Sequence, residues 1–317
     1  MLAIIIGSKG QDGTFLIKHL KSLSYEIIEI DVNHFFSEKS LKLNQLDISD
    51  YNDVENFVRL SKPSEIYYLA AYHQSSEGTI DDEKKHIQNS YNVNLLYYVN
   101  FLEAIKKHST KTKVFYASSS HIFGDTSTEM QNEKTNCQPS TIYGITKFDA
   151  MRITDYYRQK YNLFLTVGIL YNHESNLRSL NFVSRKIVNK AVKIKFNLEK
   201  RLELGNLNAT IDWGYAGDFV KAFHLILNHK SANDFVISSG NLYKIKDFIN
   251  FVFLYLGLNW KNYVFEDSKI LKRSFNGTLF GDASKLTKLT GWKPRVSLKQ
   301  LAKLMVDSEI KIFNEQN

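Results

Sequence analysis

Leu2-Ala3-Ile4-Ile5-Ile6 is an unbroken apolar run, and it leads straight into Gly7-Ser8-Lys9-Gly10-Gln11-Asp12-Gly13. A short continuous apolar run suits a strand covered on both faces, as in the middle of a parallel sheet. Beyond the glycines, Phe15, Leu16, Leu20 and Leu23 recur at helical spacing. Strand, glycine turn and helix form the opening of a dinucleotide-binding βαβ unit. The glycines let backbone approach a pyrophosphate, and the helix N-terminus offers N–H donors and positive potential. The expected fold is therefore α/β, a Rossmann-type doubly wound parallel sheet, with Gly7, Gly10, Gln11, Asp12 and Gly13 beside the cofactor.

The next strand, 26–30, ends at Asp31. A carboxylate there accepts hydrogen bonds from an adenosine ribose and repels a 2′-phosphate, so the expected cofactor is NAD rather than NADP. Asp47, with Ile48, is placed for the adenine, while Asp50 suits a helix N-cap. A fourth strand over 65–71 ends in Leu69-Ala70-Ala71, small enough for a cofactor to lie flat over the sheet. Residues 84–108 read as one long helix. Its stripe of Val93, Leu96, Tyr97, Phe101, Leu102 and Ile105 is wide enough to pack on the sheet and on a second subunit. A homodimer or homotetramer is one expectation from that stripe; core packing alone is the other. Asn94, an amide within this helix, is expected to bridge polar groups in the interior, at the cofactor.

Val114-Phe115-Tyr116 is a buried strand by composition, and Ala117-Ser118-Ser119-Ser120-His121 lies where it ends. Tyr143, Lys147 and Met151 share one helix face. A hydroxyl, a phenol and an ammonium brought together form a proton-transfer set: the cation favours phenolate, which takes a proton from a substrate alcohol while a cofactor takes the hydride.

With 317 residues the chain can form one large or two closely joined domains. The net charge of +8 comes from Lys and Arg interleaved with Asp and Glu, so no nucleic acid is expected as partner. Cys137 is the single cysteine, which excludes an intrachain disulfide and a Cys-rich metal site. His173-Glu174 has no third ligand in view, and no metal is expected. No apolar run reaches the ~18 residues of a membrane span. The apolar start is too short for a signal peptide, so a cytoplasmic location is expected. A strand over 164–170 precedes a helix over 181–194 carrying Arg185, Lys186 and Lys190, which suit either a diphosphate or a solvated face. Later elements are shorter and mixed. The expected division is a cofactor domain over 1–168, with 209–240 returning to it, and a smaller substrate domain from 169–208 and 241–317.

With these blocks in hand, the chain resembles an extended short-chain dehydrogenase/reductase acting on nucleotide sugars, and within that superfamily the GDP-mannose 4,6-dehydratases. The likeness rests on Gly7 to Gly13 with Gln11-Asp12, Asn172-His173-Glu174-Ser175, Asn181-Phe182-Val183 with Arg185-Lys186, Leu204-Gly205-Asn206-Leu207, Asp212-Trp213-Gly214 and Trp292-Lys293-Pro294-Arg295. It implies a seven-stranded parallel sheet and a small C-terminal nucleotide-sugar domain. It also implies catalytic roles for Ser119, Tyr143 and Lys147. Substrate contacts are implied for Asn172, Asn181, Val183, Lys186 and Asn206, with Arg273, beside Lys272, near a family arginine for the diphosphate.

Three departures bear on chemistry. His121 stands where the family has a glutamate, the base and acid of the elimination step. Ile211 stands where an arginine contacts the nucleotide, and Asp31 replaces an NADP-binding pattern. C4 oxidation survives the first departure, whereas losing a general base typically costs ~10²–10⁴-fold. The leading expectation is thus an NAD-dependent oxidation of the C4 hydroxyl of a GDP-linked manno-configured hexose or heptose to the 4-keto sugar, in surface-glycan synthesis. A 4,6-dehydratase using His121 as base, a C4 epimerase and a non-catalytic NAD-binding regulatory module are the alternatives.

Overall fold

A central sheet is laid down by β1 (Leu2–Ile6), β2 (Glu26–Asp31), β3 (His34–Ser37), β4 (Glu65–Tyr68), β5 (Lys113–Ser119) and β6 (Leu165–Leu170). The computed structural model describes residues 1–38, 45–73, 80–126, 130–270 and 278–316. Short strands β7 (Asn172–Glu174), β8 (Leu202–Leu204) and β9 (Thr210–Tyr215) follow, then β10 (Asp234–Ile237), β11 (Leu242–Lys244) and β12 (Val264–Glu266). The large sheet runs β10-β6-β5-β4-β1-β2-β3. Chain direction reverses its outward progress between β1 and β4, which leaves a crevice above their carboxyl ends, the place where such sheets bind ligands.

All pairings in this sheet are parallel except β2 with β3. The seven-stranded sheet implied by the family likeness is present, but its edge strand is antiparallel. Only Val32 and Asn33 separate β2 from β3, and Asn33 takes a left-handed φ of 55°. A two-residue link can make a hairpin, whereas a parallel partner needs a crossover of a dozen residues or more.

Helices cover both faces. On one side lie α1 (Gln11–Ser22) and, later in the chain, Ala216–Leu227; Leu16, Leu20, Phe219 and Phe223 join Ile5, Tyr67 and Phe115 in one core. On the other side lie α2 (Tyr51–Ser61), α3 (Glu83–Tyr91), α4 (Tyr97–His108) and α5 (Ile142–Tyr161), packed through Phe57, Tyr98, Phe101, Leu102 and Ala150. A separate core forms between α6 (Val183–Lys195), the later helices Ile245–Tyr255 and Leu298–Gln316, and Trp213. This smaller unit is drawn from the second half of the chain. Leu286 and Trp292, which lie between two of these helices in the chain, pack beneath the large sheet with Phe219.

The long helix expected over 84–108 is continuous in course but contains a π-helical segment, Asn92–Leu96, between α3 and α4. Two buried phenols meet this widened turn: Tyr68 donates to Val93 O and Tyr116 to Asn94 O, each at 2.6 Å. Asn94 is fully buried. Its Oδ1 accepts from Tyr72 N at 2.8 Å, and its Nδ2 donates to Tyr72 O and to Thr146 Oγ1. The interior bridge expected of this amide is what the structure contains, and it ties the end of β4 to α5. Among the described residues no helix is long and apolar enough to cross a membrane.

The Trp292-Lys293-Pro294-Arg295 block is anchored by Asp218, whose carboxylate accepts from Arg295 N at 2.8 Å and Val296 N at 3.0 Å, while its carbonyl accepts from Trp292 Nε1. Asp218→Ala strips the acceptor from two backbone donors and should destabilise the fold by about 2–4 kcal/mol. Urea unfolding checks this; a midpoint equal to that of the parent protein would show the anchor to be dispensable.

Candidate active site

At the crevice, Gly7 takes a φ of 90°, and a Cβ there would lie 2.8 Å from Ala70 N. Only glycine lets the loop press against Leu69 and Ala70 at the end of β4. Gly10 caps α1 with no side-chain hydrogen bond, so the first-turn N–H groups, those of Gln11, Asp12 and Gly13 among them, remain as donors. Ser8 Oγ is buried and has no hydrogen-bond partner among the described residues. An orphaned hydroxyl beside an uncapped helix N-terminus suits the diphosphate of a dinucleotide. Ala71, just past the Leu69-Ala70 pair, is exposed. Asp31 is fixed by Lys9 N at 2.7 Å and Val32 N at 2.8 Å. Asp47 folds back on its own turn, accepting from Ser49 N and Oγ, which holds its carboxyl below the usual range. Ile48 gives its carbonyl to Asn100, and Asp50 caps α2 as expected.

The side chains of Gln11 and Asp12 find their partners within the chain. They turn away to clasp the 173–175 segment, so these two positions retain only their N–H groups for a cofactor. Asp12 lies 2.9 and 3.0 Å from His173 Nε2. Gln11 Nε2 donates to His173 O at 2.9 Å, and Ser175 Oγ donates to Gln11 Oε1 at 2.7 Å. Burial works against both charges, but the Asp12 carboxylate prevails at His173 and raises its pKa, while His173 and then Arg178 lower that of Asp12. His173-Glu174 is thereby absorbed into structure, with Ser184 Oγ donating to Glu174. Among the described residues no group of three His, Cys, Asp or Glu is arranged for a metal.

Ser119, Tyr143, Lys147 and His121 come together as the sequence leads one to expect. Ser119 ends β5 and caps the short turn Ser120–Phe123, accepting from His121 N. Gly144 brings α5 onto that turn: a Cβ there would sit 2.5 Å from His121 O. Lys147 is buried, donates to Ala117 O at 2.8 Å and lies 5.7 Å from the Tyr143 ring centre. Burial pushes its ammonium down to about 7. Burial pushes the Tyr143 phenol up to about 12, against the lowering effects of the Arg178 charge and a Ser119 hydrogen bond. His121 faces Tyr143 edge-on at 5.8 Å, and burial lowers its pKa, which favours the neutral imidazole.

Two residues the sequence reading passed over also meet here. His73 packs edge-on against Tyr143 at 4.4 Å, stacks on Phe182 at 5.7 Å and lies 6.1 Å from His121. The Arg178 guanidinium covers Phe182 at 3.8 Å. The available signal for His73 was its position just beyond the carboxyl end of a parallel strand.

On the smaller unit, Lys186 lines a cleft of about 270 Å³ with Lys190, Arg201 and Glu203. Arg185, one residue earlier, takes neither the diphosphate nor the solvated role left open for it: it is buried in an ion pair with Glu309, which also accepts from Asn189. One helical step of about 100° separates the two side chains, so they cannot share a face. Lys190 is paired with Glu199 at 2.5 Å. Asn172 begins β7 and Val183 begins α6, both partly exposed; Asn181 and Asn206 are exposed. Asn206 accepts from Asn208 N. Ile211 lies on β9 opposite Tyr243. Arg273 and Lys272 lie outside the described residues. Cys137 is half-buried, its thiol pushed up to about 11 by burial.

The clasp predicts a pH signature. The raised pKa of His173 contributes stability in full below its ordinary 6.5 and loses it as pH rises through the raised value; the lowered pKa of Asp12 contributes above 3.8 and fails as pH falls through the lowered value. The stability lost on His173→Gln should therefore be largest between 3.8 and 6.5 and shrink as pH rises further. Thermal melts of both proteins at about pH 5 and about pH 9 measure this, and a difference that grows with pH contradicts it.

A family model described as GDP-mannose 4,6 dehydratase matches residues 4–305. The chain is 35% identical to GDP-mannose 4,6 dehydratase 2 of Arabidopsis thaliana, with 99% of this chain and 88% of that protein covered. It is 31% identical to the GDP-mannose 4,6 dehydratase of Homo sapiens, covering 98% and 92%. Among solved structures, that of RMD from Pseudomonas aeruginosa complexed with NADPH superposes with a TM-score of 0.83 at 19% identity, over 98% of this chain and 100% of that one. The dTDP-glucose 4,6-dehydratase of Bacillus anthracis in complex with NAD gives 0.81 at 20%, over 98% and 97%. These two likenesses speak to the fold. The extent of the family match, together with the blocks that build the crevice, establishes that the chain belongs to the GDP-mannose 4,6-dehydratase family.

Proposed function

We propose that the chain is a GDP-sugar 4,6-dehydratase in which His121 does the work of the family glutamate, acting on a GDP-linked manno-configured hexose or heptose. The observation that carries this reading is the His121 imidazole held edge-on to Tyr143 at 5.8 Å, at the end of β5. A base must be deprotonated before it acts, and His121 meets that condition near pH 7.

The glycine loop, Ser8 and the first turn of α1 would hold the diphosphate of NAD, with Asp31 at the ribose favouring NAD over NADP. Bound there, the cofactor supplies the acceptor for the hydride leaving C4. Tyr143 takes the proton of the C4 hydroxyl. Burial pushes its phenol up to about 12, and the Arg178 charge and the Ser119 hydroxyl work against that; when charged, Lys147 beside the ring would favour phenolate further. Once C4 is a ketone, the C5 proton is acidified, and His121 removes it. Asn172, Asn181, Val183, Lys186 and Asn206 would contact the nucleotide sugar, with Arg273 proposed for its diphosphate. Exposed Leu96 and Tyr156 near the α4–α5 surface support pairing of two copies there.

A second reading, oxidation that stops at the 4-keto sugar, is favoured by one observation: an imidazole stands where relatives are expected to carry a carboxylate. The family match favours the complete dehydration. Incubation with NAD and either GDP-mannose or GDP-manno-heptose in heavy water, followed by mass spectrometry, separates the two. Loss of water with deuterium at C5 is the expected outcome. A product two hydrogens lighter, with all its oxygen retained, would replace the dehydratase reading with the dehydrogenase. His121→Asn should retain C4 oxidation and lose ~10²–10⁴-fold in dehydration. Tyr143→Phe should lose both.

A further inference from the structure

We infer that His73 is the acid that protonates the departing C6 hydroxyl, so that two imidazoles divide the proton work of the elimination. The inference rests on the dehydratase reading and adds a residue to it. His73 and His121 both present edge-on to the one catalytic phenol, at 4.4 and 5.8 Å with interplanar angles of 77° and 78°. Their own ring centres are 6.1 Å apart. Elimination across C5–C6 needs a base at the C5 hydrogen and an acid at the oxygen on the neighbouring carbon, each within hydrogen-bond reach of about 3 Å. Two imidazoles 6 Å apart can bracket such a unit.

Their surroundings differ in the sense the two duties require. His121 is partly covered, which favours the neutral ring of a base. His73 is exposed and can recover a proton from solvent after each turnover. It is also oriented: Phe182 stacks on it at 17°, Tyr143 meets it edge-on, and Arg178 covers Phe182. Phe182 immediately precedes α6, so closure of the smaller unit on a nucleotide sugar would act on the same ring.

The step is redox-neutral. The C5–H bond breaks and its proton passes to His121. The freed electron pair forms the C5–C6 double bond, the C6–O bond breaks, and the oxygen takes a proton from the His73 imidazolium and leaves as water.

The test compares the parent protein with His73→Asn, His73→Gln and His121→Asn, each supplied with NAD and GDP-mannose in heavy water. C5 deuteration of the 4-keto sugar and loss of water are scored separately. Both His73 variants should keep C5 exchange within about threefold of the parent while water loss falls by about 10² or more; His121→Asn should lose both. Water loss within about threefold of the parent in the His73 variants would overturn the inference and leave His121 with both duties. A parallel fall in exchange and water loss would overturn it in favour of a positioning role. If the parent protein itself oxidises C4 without losing water, the dehydratase reading fails and the inference with it, a result read without any variant.

Discussion

A buried contact between the Asp12 carboxylate and the His173 imidazole holds the first turn of α1 to the segment after β6, and the crevice is built around it. The glycine loop lies on one side. On the other, β7 pairs with β9, and Glu174 receives the hydroxyl of Ser184 on α6. The glycine loop and α6 are therefore positioned from one point. A carboxylate in the first turn of a helix already gains from the backbone dipoles. Once buried, it needs the imidazole opposite, because an unpartnered buried charge costs more than the pair contributes. Gln11 and Ser175 make the arrangement directional by adding neutral hydrogen bonds on the same two segments.

What could be read from the sequence is local and periodic. The apolar run of β1, the glycine loop, Asp31 and the Tyr143–Lys147 pair each announce themselves within about ten residues, where strand and helix periods act. Asn94 was legible as an amide inside an apolar stripe. The rest depends on partners far along the chain. Arg185 looks like a phosphate ligand beside Lys186 until Glu309, 124 residues later, turns it inward. His73, Phe182 and Arg178 form a stack only because the end of β4 and the approach to α6 converge on α5. The edge hairpin of β3 hung on a two-residue link that composition did not flag.

Exchanging a carboxylate for an imidazole changes more than basicity. A carboxylate that accepts a proton becomes neutral; an imidazole becomes a cation. If His121 is the base proposed above, the negative charge developing on a sugar that has lost its C5 proton would face a positive ring rather than a neutral acid. Shielded from bulk water, that attraction would be stronger than in solution. The cost is that the same burial resists forming the cation in the first place. Arg178, near Tyr143 and the Asp12–His173 pair, adds positive potential in the same space.

The π-helical turn at Asn92–Leu96 has a consequence for how this chain can vary. Each residue advances a helix by about 100°, so the widened turn sets α4 out of phase with α3 by the amount of one inserted residue. Asn94 reaches Tyr72 and Thr146, and Phe101, Leu102 and Ile105 reach the sheet, only with that offset in place. Removing one residue here would restore a regular helix and carry one of these two sets off its partners. Length, more than identity, is the property held fixed along this segment: its side chains can be exchanged for others of like shape, but its residue count cannot.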